Sequence, residues 1–130
     1  MGKAEKFTDL EVYGESIKLS SEIFRISRTF PREEAYSLTD QIRRSSRSIG
    51  ANIAEAWAKR RFPAHFVSKL SDADAELQET IHWIGESTRC RYIDANMEGK
   101  LLETAGLIGR MLGKMMKMAS SFRPVEEETS

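Results

Sequence analysis

The sequence predicts an all-α chain of one domain, an up-down-up-down four-helix bundle, and three observations predict it. First, 130 residues with 40% hydrophobic and 31% charged positions suffice for one core and not for two. Second, three Pro and eight Gly are too few for a turn-rich β chain or a disordered one. Third, three breaks, at Phe30-Pro31, at Phe62-Pro63 and over Tyr92 to Asn96, cut the chain into four segments of similar length. Proline disfavours helix at the residue before it and suits the first turn of the next helix, and Asp94 is a natural N-cap at the last break. Helices are expected at about 8–29, 32–60, 63–91 and 95–122 of a single domain spanning 1–130. At about 1.5 Å per residue each is roughly 35 to 40 Å long, and equal helices with short loops favour alternating directions.

The first helix carries two apolar stripes. Val12, Ser16, Leu19, Ile23, Ile26 and Phe30 form one; Leu10, Tyr13, Ile17, Ser20, Phe24 and Ser27 form another, about 140° round the helix. A helix apolar on two faces is buried on two faces, and in so short a chain the second cover is expected to be another subunit. The second helix places Leu38, Ile42, Ser45, Ile49, Asn52 and Ala56 on a core stripe. The third places Phe66, Leu70, Ala73, Leu77, Thr80, Ile84 and Ser87 there, and the fourth Leu101, Ala105, Ile108, Leu112, Met115, Ala119 and Phe122. Leu107, Met111 and Met118 widen the apolar arc of the fourth helix and join Leu10, Tyr13, Ile17 and Phe24 as expected oligomer contacts. Arg123-Pro124 ends that helix, leaving 123–130 as a flexible acidic tail.

Helix 2 contains Gln41-Ile42-Arg43-Arg44-Ser45-Ser46-Arg47-Ser48-Ile49-Gly50-Ala51-Asn52-Ile53-Ala54-Glu55-Ala56-Trp57. Gly50, Ala51, Ala54, Ala56 and Ala58 allow close approach from several sides. Asn52 on the stripe and Glu55 on its flank need polar partners, because an unsatisfied buried group costs about 1–3 kcal/mol. Arg44, three turns down the same face, belongs with them, and an arginine from a neighbouring helix or subunit can hold a carboxylate bidentately. A buried network of Arg44, Asn52 and Glu55 that sets register is the expectation.

This run resembles the bacterial four-helix bundle proteins encoded in intervening sequences of large-subunit ribosomal RNA genes. Phe30-Pro31 with Glu34 and Leu38, and Phe66, Lys69, Leu70, Ala73, Glu76, Glu79, Thr80 and Trp83, extend the similarity over residues 7–122. Many members carry Gly where Ala56 stands, and apolar or small residues are common where Asp72 and Asp74 stand. The resemblance implies a left-handed bundle that assembles into a homo-oligomeric ring, commonly a pentamer, with no established enzymatic activity. More distantly, the chain is similar to accessory proteins of diversity-generating retroelements, bundle rings that contact a reverse transcriptase and nucleic acid. Those relatives are markedly basic, and this chain is not.

Its 20 basic residues balance 20 acidic ones, but unevenly. Residues 1–24 hold three basic and five acidic positions, 25–61 nine and four, and 62–130 eight and eleven, or −2, +5 and −3. Helix 2 is the basic part. Arg43, Arg47, Arg60 and Arg61 are candidates for RNA or DNA phosphates on a surface that ring symmetry would repeat, unless they pair with Asp40, Glu33 and Glu34. The expected function is accordingly a non-catalytic oligomeric scaffold or recruitment module, with nucleic-acid binding as the alternative.

Enzyme chemistry finds no footing. Glu79 and His82 match one Glu-x-x-His pair of a di-iron bundle, which needs a second pair and two further carboxylates. His65 has no ligands at metal spacing, and Asp72-Ala73-Asp74 lacks the glycine and glutamate of a calcium loop. Neither a Gly-rich phosphate loop nor a Gly-x-Ser-x-Gly elbow occurs. No cofactor, metal or catalytic residue is expected. Met1 to Glu11 lacks the apolar core of a signal peptide, no membrane span is present, and the single Cys90, expected to be partly buried, suits a reducing cytoplasm.

Overall fold

The computed structural model describes residues 4–125, and among these every regular element is helical. Four helices, α1 (Glu11–Ser27), α2 (Leu38–Ala58), α3 (Pro63–Arg89) and α4 (Ala95–Lys117), carry the core. Short 3-10 turns precede α1 (Phe7–Asp9), precede α2 (Arg32–Glu34) and follow α4 (Ala119–Phe122). The expected acidic tail falls largely on 126–130, outside the described residues. Among the described residues no helix is long and apolar enough to cross a membrane.

Three helix ends differ from expectation. Leu10 is extended, with φ −74° and ψ 131°, so α1 starts only at Glu11. Pro31 opens one 3-10 turn and not a continuous helix; a second start follows at Leu38. There the Glu34 carboxylate accepts Ser37 Oγ at 2.6 Å and the Leu38 N–H at 3.2 Å, supplying the cap that Ser37 itself does not make. At the other end of the bundle α4 tightens into a 3-10 turn that brings the Phe122 ring within 5.1 Å of Phe66. Two ends match expectation: Pro63 is in the first turn of α3, and the Asp94 carboxylate accepts the Met97 N–H at 2.8 Å. Between α3 and α4, Arg91 takes a left-handed conformation (φ 65°) while the Tyr92 N–H donates to Ser87 O at 2.9 Å, closing the helix C-terminus.

Each helix packs on two neighbours: α1 on α2 and α4, α3 on α2 and α4. Contacts along the α1–α2 and α2–α3 pairs run in opposite chain order. Arg43 meets Ser27 while Gly50 meets Ser16, and Thr80 meets Ser45 while Lys69 meets Glu55. The core is the expected seam of α3 and α4, together with Val12, Leu19, Ile23 and Ile26 of α1. Of the two stripes of α1, the one through Leu19 is therefore the core. On α2 the seam steps four residues from Ile49 to the fully buried Ile53, not three to Asn52. A straight α-helix drifts from a strict 3.5-residue repeat, and here the apolar residue takes the inward position.

Candidate interaction surface on α1 and α2

The second stripe of α1 and the basic residues of α2 form one surface. Arg28, the C-cap of α1 with helical dihedrals, stands four residues after Phe24, and Arg43 and Arg47 stand four apart on α2, so each pair shares a helix face. The Phe24 ring lies under all three guanidinium groups, with Arg43, Arg28 and Arg47 at 4.4, 5.0 and 5.1 Å from its centroid. Arg43 is pinned: its Nε donates to Ser27 Oγ at 2.8 Å and its Nη2 reaches Phe24 O at 3.5 Å. Burial, and then the charges of Arg47 and Arg28, push the Arg43 pKa below its ordinary value. Among the described residues no carboxylate lies within ion-pair distance of Arg28, Arg43 or Arg47. The expected pairing of Arg43 and Arg47 with Asp40, Glu33 and Glu34 does not occur, because the Phe24 ring draws both side chains toward α1.

Further along the same side runs a groove of about 300 Å³, lined on α1 by Tyr13, Ser16 and Ile17 and on α2 by Arg47, Gly50, Ala51 and Ala54. Gly50 makes it possible. A Cβ there would sit 3.1 Å from Ser16 Oγ, tighter than ordinary contact, so the missing side chain lets the two helices approach. Ile17 remains 43% exposed beside this groove, while Leu10, Tyr13 and Phe24 are half-buried and Tyr13 stacks edge-on to Phe7 at 4.9 Å.

The other expected site residues lie elsewhere. Leu107 and Met111 are half-buried on α4 and Met118 is exposed, on a helix that does not border the groove. Arg60 stacks over Trp57 at 3.9 Å and donates to its carbonyl at 3.0 Å. With Arg61 it lies beyond the α2 C-terminus at Ala58, about three helical turns past Arg47, so the four arginines do not make one basic surface. The proposed buried network is also absent within the chain. Arg44 and Glu55 are exposed; Asn52 is half-buried and turns back to donate Nδ2 to Ser48 O at 2.9 Å. Glu55 pairs with Lys69 of α3 at 2.8 Å, a lysine in place of the expected arginine. The polar contact that is buried joins Thr80 and Ser45: Thr80 Oγ1 donates to Ser45 Oγ at 2.9 Å. Arg28 was the residue hidden from sequence reasoning; its spacing from Phe24 was the available signal.

Among the described residues no group of three or more His, Cys, Asp or Glu side chains gathers at metal-binding spacing. Glu79 accepts the Trp83 indole N–H at 3.1 Å, and His82 lies against the same ring. Cys90 is exposed, not partly buried, because α3 ends there.

Residues 8–114 match the family of 23S rRNA-intervening sequence proteins. The chain belongs to that family. The chain is also similar to a protein of Bacteroides thetaiotaomicron, from the S23 ribosomal protein family and described as of unknown function, whose crystal structure was determined at 1.70 Å. The identity is 29%, the match covers 82% of this chain and 95% of that one, and the TM-score is 0.73. No curated protein matches significantly. Within the matched residues, the polar run of α2 splits over two sides of the bundle. Arg43, Arg47 and Gly50 face α1, whereas Arg44 and Glu55 lie toward α3.

Proposed function

We propose that this 23S rRNA-intervening sequence protein is a non-catalytic homo-oligomeric scaffold or recruitment module of the cytoplasm, a pentameric ring of left-handed, up-down-up-down bundles. One observation carries the reading: the α1–α2 side couples an apolar groove and an exposed Ile17 to three arginines without carboxylate partners. A surface of that kind is costly to leave bare and suits a protein partner, with apolar contacts at the centre and charge at the rim. The opposed contact series along the α1–α2 and α2–α3 pairs supports the alternating topology.

A second reading rests on the same three arginines, which can meet phosphates without reading base edges. Light scattering on the purified chain tests the first: a mass near five times 14.8 kDa at micromolar concentration is expected, and a mass of 14.8 kDa refutes it. Titration with labelled structured RNA tests the second, because phosphate contacts weaken steeply as salt rises. Salt-insensitive or absent binding removes it and with it the reason to look for nucleic acid beside a protein partner such as a reverse transcriptase.

A further inference from the structure

We infer that the Arg28, Arg43 and Arg47 cluster around Phe24 docks the acidic ridge of α3, centred on Glu76 and Glu79, of a second copy of this chain. The inference rests on the self-association proposed above and names the two surfaces that meet.

The first support is charge. Three guanidinium groups crowd one ring with no carboxylate among the described residues to balance them. On the neighbouring α2–α3 side, Asp72, Glu76 and Glu79 repeat at spacings of four and three, which places them along one ridge of α3. Lys69 answers Asp72 at 3.3 Å, but no cation lies within ion-pair distance of Glu76 or Glu79 among the described residues. Burial and then the charge of Glu79, with a smaller push from Asp72, hold the Glu76 carboxyl above its ordinary range, although the Arg44 charge on α2 partly offsets them. In each cluster the like charges outweigh what offsets them, and each would be relieved by the other. The chain as a whole, with 20 cations and 20 anions, carries the complement of its own basic side.

The second support is height along the bundle. Ser45 lies between Arg43 and Arg47 on α2 and accepts from Thr80, the residue after Glu79 and one turn beyond Glu76. The basic cluster and the acidic ridge therefore stand at one level, on two adjacent sides that share α2. Rotation about an axis parallel to the helices preserves height, so it brings the ridge of one copy level with the arginines of the next. Such a head-to-tail contact uses two different patches and generates a ring when the rotation closes. Adjacent sides of a four-sided bundle stand at roughly right angles, a geometry that closes after about four or five copies.

A charge-swap series read by light scattering and circular dichroism tests this. Arg28→Glu with Arg47→Glu, and separately Glu76→Lys with Glu79→Lys, should each lower the mass toward 14.8 kDa while helicity is kept. All four substitutions in one chain should restore the parent mass, because the charges again oppose. Should a reversal unfold the chain, Arg47→Gln and Glu79→Gln carry the same expectation in milder form, as a salt-sensitive loss of mass. A parent that is itself 14.8 kDa overturns the self-association reading and this inference with it. An oligomeric parent whose mass survives either double reversal overturns the inference alone, as does a fourfold variant that is helical and monomeric. Loss of RNA binding with unchanged mass in Arg28→Glu with Arg47→Glu also overturns it, assigning the cluster to nucleic acid.

Discussion

Thr80 and Ser45 show how a polar pair is held between two helices in a largely apolar seam. Both are essentially fully buried, Thr80 Oγ1 lies within hydrogen-bond reach of Ser45 Oγ at 2.9 Å and of Glu76 O at 2.8 Å, and Ser45 reaches Ile42 O at 3.4 Å. Thr80→Val should cost about 1–2 kcal/mol in urea unfolding, since it removes the cross-helix bond and leaves the Ser45 hydroxyl poorly satisfied. Adding Ser45→Ala should cost little more, because the orphaned group goes with it. Strictly additive losses would show that the hydroxyls are not coupled. The seam spacing already placed both residues on core stripes, so the burial of this pair was legible. Asn52 was not, because spacings of three and four from Ile49 are equally admissible until Ile53 and its neighbours pack. Glu55 was legible as a carboxylate needing a cation, but the identity of Lys69 was set by the pairing of two helices.

At the scale of elements, the joints hold the surprises. Tyr92, in the connection from α3 to α4, donates its hydroxyl to Glu34 Oε2 at 2.7 Å, and its ring lies 5.3 Å from Phe30. Two connections 58 residues apart are thereby tied together. The Glu34 hydrogen bond, then burial and the Glu34 charge, push the Tyr92 hydroxyl up from 10.0 to about 12. Bonds from Ser37, Tyr92 and the Leu38 N–H hold the Glu34 carboxyl below its ordinary 4.5. A raised tyrosine pKa gives stability that is complete below 10.0 and lost as pH rises through about 12. A lowered carboxyl pKa gives stability present above 4.5 and lost as pH falls through the folded value. The unfolding temperature should therefore fall between pH 10.0 and about 12 in the parent and less steeply in Tyr92→Phe. Equal slopes would show that the link contributes nothing. Pro63 and Asp94 marked where helices begin and Pro31 did not, and the tie from Glu34 to a tyrosine far away in sequence has no local signature.

For the whole molecule, the chain breaks and hydrophobic spacing together sufficed to set out four helices, their order and the core seams of α3 and α4, while α1 offered two stripes and the α2 seam departed at Asn52. The interaction surface was legible only in halves. The second stripe of α1 stood out as apolar and the centre of the chain as basic, yet nothing in either segment says that Phe24 and Arg43 share a contact. That follows from close packing of α1 on α2, which Gly50 permits. Met111 illustrates the converse: a wide apolar arc on α4 is partly spent on the chain's own packing. The central claim is that the α1–α2 side is the self-association surface, and Ile17 is its most direct probe, since it is 43% exposed and the core does not depend on it. The deciding measurement is the light-scattering mass of Ile17→Asp beside the parent, with helicity monitored on the same samples. A fall to 14.8 kDa at unchanged helicity is the predicted result, and a variant that keeps the parent's oligomeric mass would contradict it.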